Sequence, residues 1–459
     1  MTAVPLGTTG RSRASASAAS SARAAARAGV LHGPLTSYRL VVLASSLLGG
    51  LGLVMVFSAS SVTSYAADGS SYALLSKQLL FFFIGLPLAL VASRLSPRVY
   101  RWVSYPLLVA SLGLLVLVLV PGVGSHVSGA VRWIDVGPFQ LQPSEPAKLS
   151  LALWGADLLV RKQRLLGEWR HMLVPLVPVA LLFAGLVMLE PDLGTTISMT
   201  LVVLALLFVA GAPLRMFSIL VGAMVVVASL LAVLSPYRLQ RLTSFTDPFK
   251  DAQVTGYQAV HGYYALASGG WWGKGLGAGL EKWAYLPNAH TDYIFAVIGE
   301  ELGLVGTLVV LALFALLGYA GFRIASRNRD PFVRLAAAAV TVWLVGQALI
   351  NMGYVVGLLP VTGIPLPLIS YGGTSLILTM ASVGMLASFA RREPGVAEVL
   401  AARGPGRLQR SGERLAFWRR PEPRPAARRS GATPSAPPRR RRPRRSTRRT
   451  RPVRGARRA

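Results

Sequence analysis

The chain has 459 residues, of which 53% are hydrophobic and only 14% charged, and its mean hydropathy is +0.51. A soluble domain carries about 25% charged residues, so most of this surface is not made for water. The absence of cysteine excludes disulfide scaffolds, thiolate zinc sites, iron–sulfur clusters and cysteine nucleophiles.

The formal charge of +30 sits chiefly at the ends: residues 1–38 hold four Arg and no acid, and residues 391–459 hold 23 Arg and four Glu. Residues 1–38 lack the apolar stretch of about 7–15 residues that a signal peptide needs, so the first apolar segment is expected to be a retained span. A bilayer core requires about 20 mostly apolar residues per helix. On that rule spans are expected at roughly 39–59, 78–95, 102–121, 146–160, 172–190, 193–211, 214–234, 292–322, 332–356 and 366–390. The fold class is therefore an all-α polytopic membrane protein of about ten helices. Continuous apolar runs, rather than alternating ones, exclude a β-barrel.

Three regions follow: a basic arm at 1–38, a ten-span domain at 39–390, and a Pro/Arg-rich tail at 391–459. Composition predicts disorder in both ends. Basic residues settle the expected orientation. One set of short loops holds Arg94, Arg98, Arg101, Arg161, Lys162, Arg164, Arg170, Arg215, Arg323, Arg327, Arg329 and Arg334, whereas the opposite set holds only Lys77 and Arg132. Positive charge marks the cytoplasmic side, so both termini are expected in the cytoplasm. The tail then suits anionic lipid, at about 1 kcal/mol per basic residue near the surface, or an acidic cytoplasmic partner; no nucleic acid is expected.

The largest outer element is the loop at 235–290, rich in Trp and Tyr, including Trp271, Trp272 and Trp283. Long loops of this kind are usually functional, although such aromatics also anchor at lipid interfaces. Polar residues at the outer span ends are costly and therefore candidates for function. Glu145 and Lys148, three apart at a helix start, can pair across one face, either as a structural pair or as part of a site. Asp192, in Glu190-Pro191-Asp192-Leu193-Gly194, either caps a helix or serves a cavity. Asp292 opens a long apolar helix and has the same two readings. Glu300 is expected to be a buried structural acid.

The stretch Leu366–Ser375, with Ser370, Tyr371, Gly372 and Gly373, permits close backbone approach to a ligand or simple helix packing. Alternating glycines at 273–279 lack the Lys-Ser/Thr of a nucleotide loop. No HExxH pattern or histidine cluster marks a zinc site. A hard cation such as Mg or Mn, held by Asp192 or Asp292 together with substrate phosphates, is compatible with the residues, and no organic cofactor is expected. These residues alone fit a transporter as well as an enzyme acting on a lipid-linked anion.

The strings GAVRWI, QPSEPAKL, PDLG, GYQAV, GGWWGKGLG, PNAHTDYIFAVIGEELG, NMGYVVGLLPVTG and PLPLISYGGTS resemble the SEDS family (shape, elongation, division and sporulation), most closely its cell-division branch. The resemblance runs in order over about residues 39–392, with local departures at Pro146 and Tyr293. It implies a peptidoglycan glycosyltransferase that polymerises lipid II at the outer membrane face during septal synthesis. The implied partners are a class B penicillin-binding protein and other divisome proteins. Asp292 falls on the family's essential loop aspartate and is the expected general base. Arg132, Lys148 and Lys274 are the expected pyrophosphate ligands, with Glu145 orienting Lys148, Asp192 shaping the cavity, and Ser370 and Tyr371 among the substrate contacts. A lipid II flippase, a non-enzymatic scaffold or an elongation role are the alternatives.

Overall fold

The computed structural model describes residues 33–127, 130–137, 139–233, 245–254, 256–283, 285–396 and 398. Most of the expected basic arm and tail, Gly129 and the start of the long loop lie outside the described residues. A helix occupies each of the ten apolar segments: α1 (Thr36–Asp68), α2 (Ala73–Ala92), α3 (Pro97–Val118), α4 (Ser144–Arg161), α6 (Leu176–Leu189), α7 (Leu193–Val209), α8 (Leu214–Val233), α10 (Ile294–Arg327), α11 (Pro331–Val355) and α12 (Gly373–Ala390). Short helices α5 (Trp169–Leu173) and α9 (Tyr257–Gly269) lie between them. Among the described residues seven helices, with α5 and α6 taken together as Trp169–Leu189, are long and apolar enough to cross a membrane, and α7 and the start of α8 are shorter apolar helices.

Local chemistry explains several boundaries. Pro97 and Pro331 occupy first-turn positions, where a missing N–H costs nothing. Asp330 caps α11 through the Phe332 N–H at 2.9 Å. Helix α10 contains a break at Gly303, whose φ of +68° strongly favours glycine. A side chain there would also collide with the Gly273 N–H and the Trp271 carbonyl.

The helices pack around α4, α11 and α12. Helix α12 lies against α2 and α1, α10 against α11 and α1, and α11 against α7 and α4. Helix α4 is enclosed along nearly its whole length, including Glu145, Lys148 and Asp157. Three ion pairs tie the helices at one end: Arg101 to Asp330 at 2.6 Å, Arg101 to Asp157 at 3.8 Å and Arg161 to Asp157 at 2.7 Å.

The opposite end carries an addition to the expected all-α bundle, a small antiparallel sheet of β1 (Gly124–Val127), β2 (Ala130–Val136) and β3 (Phe139–Leu141) in that order. Its strands are three to seven residues long, too short to announce themselves by alternation. The sheet is fixed to α12, because the Thr374 hydroxyl donates to the Gln140 carbonyl at 3.0 Å.

Candidate active site

Several stretches meet at the sheet end and line a cavity of about 640 Å³. Strand β2 supplies Arg132 and Asp135, and the turn between α6 and α7 supplies Asp192. The turn before α10 supplies His290, Thr291 and Asp292, and the segment between α11 and α12 supplies Thr362, Gly363, Pro365 and Tyr371. Lys77 of α2 completes the charged lining.

Arg132 joins two of these walls. Its Nε donates to the Glu190 carbonyl at 3.1 Å and its Nη2 to the Pro191 carbonyl at 2.5 Å. Asp192 caps α7, accepting the Thr195 N–H at 3.0 Å on Oδ1 and the Thr195 hydroxyl at 2.8 Å on Oδ2. The capping role foreseen for it is present, together with its place in the cavity lining. Glu190 sits just beyond the end of α6, fully buried, with neither carboxyl oxygen hydrogen-bonded among the described residues. Burial, then the Asp192 charge, raise its pKa to about 8 against the pull of Arg132. The uncharged acid is what such a site selects.

Asp292 precedes α10, whose N-cap position is Tyr293 without a side-chain cap bond. Its peptide is gripped from α11. Asn351 Nδ2 lies 2.9 Å from the Asp292 carbonyl and 2.7 Å from that of Ile364, and the Tyr354 hydroxyl lies 2.9 Å from each. From the other side, the Ser370 hydroxyl donates to the Thr291 carbonyl at 2.7 Å while accepting the Leu366 N–H at 2.7 Å. The Tyr371 N–H donates to the His290 carbonyl at 2.9 Å. Gly363, at φ +71°, faces the acid: a Cβ there would stand 3.4 Å from Asp292 Oδ2. The His290 and Tyr371 rings meet edge to face at 5.7 Å. Burial lowers the His290 pKa and raises that of Tyr371, so both are uncharged near neutral pH.

Arg132, Asp192, Asp292 and Tyr371 are thus brought together, whereas four other expected substrate contacts are placed differently. Lys148 is fully buried, with Nζ 2.8 Å from Glu145 Oε1 and 3.0 Å from Gln347 Oε1. The Glu145–Lys148 pair has formed, but neither side chain lines the cavity. Lys274 pairs with Glu300 at 2.7 Å, so it fastens the long loop to α10. Glu300 is fully buried, as expected of a structural acid. Ser370 works from behind, through backbone carbonyls. In each case a nearby hydrogen-bond partner claims the polar head.

Lys77, His290, Asn351 and Tyr354 enter the site without having been singled out. In the sequence Lys77 reads only as a loop charge, and Asn351 and Tyr354 only as letters of the NMGY string. No group of three or more His, Cys, Asp or Glu side chains converges among the described residues, so a cation here would rest on one or two carboxylates together with substrate phosphates. Asp192 has both oxygens engaged by Thr195.

Comparison with known proteins agrees with this architecture. A family model described as cell cycle protein, covering FtsW, RodA and SpoVE, matches residues 38–394. A Mycobacterium tuberculosis protein named "Probable peptidoglycan glycosyltransferase FtsW" is 48% identical over 369 residues, which is 80% of this chain and 70% of that protein. A protein of the same name from Halorhodospira halophila is 44% identical over 350 residues, 75% of this chain and 88% of its own length. Among solved structures, a chain from a peptidoglycan synthase complex studied for the coordination of polymerization and crosslinking superposes with a TM-score of 0.64. It shows 33% identity, covering 76% of this chain and 96% of that one. The rod shape determining protein RodA of Thermus thermophilus superposes with a TM-score of 0.57 at 32% identity, over 77% and 96% of the two chains.

Proposed function

The chain belongs to the SEDS family of cell cycle proteins, and from that membership and the cavity we infer that it is a multi-pass membrane peptidoglycan glycosyltransferase serving cell division. The observation that carries the mechanism is one cavity lined by the Asp292 carboxylate and by two cations, Arg132 and Lys77.

The substrate is lipid II. The 4-hydroxyl of an acceptor GlcNAc attacks the anomeric carbon of a MurNAc whose C1–O bond to undecaprenyl pyrophosphate breaks. Inversion from the α donor to a β-1,4 product makes this a single displacement. Asp292 takes the hydroxyl proton, a contribution typically of about 10²–10⁴-fold. Pyrophosphate leaves without needing a protonated acid, in contrast to glycoside hydrolysis. It needs positive charge against the developing anion, which Arg132 and Lys77 supply. Asp192 holds the α7 end of the wall in place, and Ser370 and Tyr371 hold the turn that presents Asp292.

The cavity lies at the end of the bundle opposite Arg101, Arg161 and Arg327. With basic residues facing the cytoplasm, the site opens at the outer membrane face and both termini are cytoplasmic. Similarity to a chain of a peptidoglycan synthase complex supports pairing with a class B penicillin-binding protein at the septum. The basic tail would add contacts to anionic lipid or to an acidic division protein.

The test is glycan synthesis from labelled lipid II by the purified protein with its cognate penicillin-binding protein, comparing wild type with Asp292→Ala. Polymer from the wild type alone supports the reading. Equal polymer from both removes Asp292 as the base. No polymer from either, with the partner bound, moves the function to lipid II transport or to scaffolding.

A further inference from the structure

The Glu145–Lys148 pair lies outside the cavity lining, yet one hydrogen-bond path leads from it to the cavity wall, and Gln347 of α11 stands in the middle. Gln347 Oε1 accepts from Lys148 Nζ at 3.0 Å and from the Trp343 indole N–H at 2.9 Å, and its Nε2 donates to the Pro365 carbonyl at 2.9 Å. Two donors converging on the oxygen leave the amide one orientation. Flipped, it would set its NH₂ against an ammonium and an indole N–H, and its oxygen against a carbonyl.

Lys148 is held in turn by Glu145 at 2.8 Å and by the Trp343 ring, whose centroid is 5.1 Å away. Glu145, Lys148, Trp343 and Gln347 are all at least 98% buried. A polar path this deep is little screened by solvent and costly to leave half made. Its far end, Pro365, lines the cavity together with Thr362 and Gly363, and Gly363 is the residue facing the Asp292 carboxylate.

We propose that Gln347 is a positioning residue of glycosyl transfer, through which the buried Glu145–Lys148 pair holds the 362–365 wall of the cavity against Asp292. The proposal rests on the glycosyltransferase reading and gives the ion pair a different task from meeting pyrophosphate: it orients a backbone segment that the reacting groups touch.

The experiment measures initial polymerisation rates against lipid II concentration for the full-length protein with its transpeptidase partner, alongside thermal unfolding. The variants are Gln347→Leu, Gln347→Glu, Lys148→Met and the Lys148→Met/Gln347→Leu double substitution. Gln347→Glu retains an acceptor for Lys148 and Trp343, and its rates are read up to about pH 9, because only the ionised acid sets an oxygen without a proton against the Pro365 carbonyl. It decides the matter even where Gln347→Leu does not fold.

Both Gln347 variants are expected to lower kcat on the order of 10–100-fold, the loss that misplacement of about 1 Å can cause. KM should stay within a factor of about two, because Arg132 and Lys77 are untouched. The double variant should be no slower than the slower single one, since the two residues act in series. Wild-type kcat in folded Gln347→Glu, or losses that multiply in the double variant, would overturn the proposal. Absence of polymer from the wild type would instead overturn the glycosyltransferase reading on which it stands.

Discussion

The side-chain amide of Asn351 reaches the carbonyl of Asp292 at 2.9 Å and that of Ile364 at 2.7 Å, so one residue of α11, with Tyr354 beside it, bridges the acid and the opposite wall. Asn351→Ala leaves the one hydrogen of the Tyr354 hydroxyl to serve two enclosed carbonyls, at a cost of about 1–3 kcal/mol. It should lower the unfolding temperature and the polymerisation rate together. Tyr354→Phe should be milder, because Asn351 still reaches both carbonyls. Thermal unfolding and rate measurements on the two variants check this order, and a more damaging Tyr354→Phe would contradict it.

Arg132 is bound to two carbonyls of one turn through a planar fork, a geometry that lysine cannot copy. Arg132→Lys should therefore lose activity almost as fully as Arg132→Ala, despite keeping its charge. Lys77 is exposed at the cavity and serves as a point charge, so Lys77→Arg should retain most activity and Lys77→Ala should chiefly raise KM. Steady-state rates with the four variants separate positioning from charge.

His290 offers a dependence on pH. Burial holds its pKa below the ordinary 6.5, so on acidification the unfolded chain takes up a proton before the folded chain does. Its contribution to stability is complete above about pH 6.5 and is lost as the pH falls towards the folded value. Against wild type, His290→Asn should show a shallower decline in unfolding temperature between about pH 6.5 and 5. Parallel curves would show that the imidazole is not the group responsible.

Lys282 and Glu301 form a pair at 2.7 Å with both side chains buried, joined by Ser58 of α1. Removing one partner strands the other charge, typically at about 3–5 kcal/mol. Lys282→Met alone should destabilise far more than Lys282→Met combined with Glu301→Leu, as read by thermal unfolding. Lys274→Met should cost less, because Glu300 still accepts the Leu280 and Glu281 N–H groups.

Much of the site was legible in the order of residues. Asp292 and Asp192 lie at span ends, where a polar residue is expensive, Arg132 lies in an outer loop otherwise poor in basic residues, and each lines the cavity. Depth was not legible. The three-residue spacing of Glu145 and Lys148 predicts their pairing, but not that α11 lays Trp343 and Gln347 over the ammonium. Lys274 and Glu300 are 26 residues apart across an irregular loop, and no periodicity links them. The sheet was missed for the same reason: strands of three to seven residues are recognised by their partners, not by their own pattern.

The break at Gly303 divides α10 into two stretches. Residues 294–302 carry Glu300 and Glu301, which clasp Lys274 and Lys282 of the preceding loop, while the rest of the helix runs on among α1 and α11. Asp292 sits at the tip of the first stretch. The loop also reaches past the break, where the Leu304 and Val305 N–H groups donate to the Gly270 and Trp271 carbonyls, so the same loop splints the kink and joins the half-helix that ends at the aspartate to the rest of the bundle.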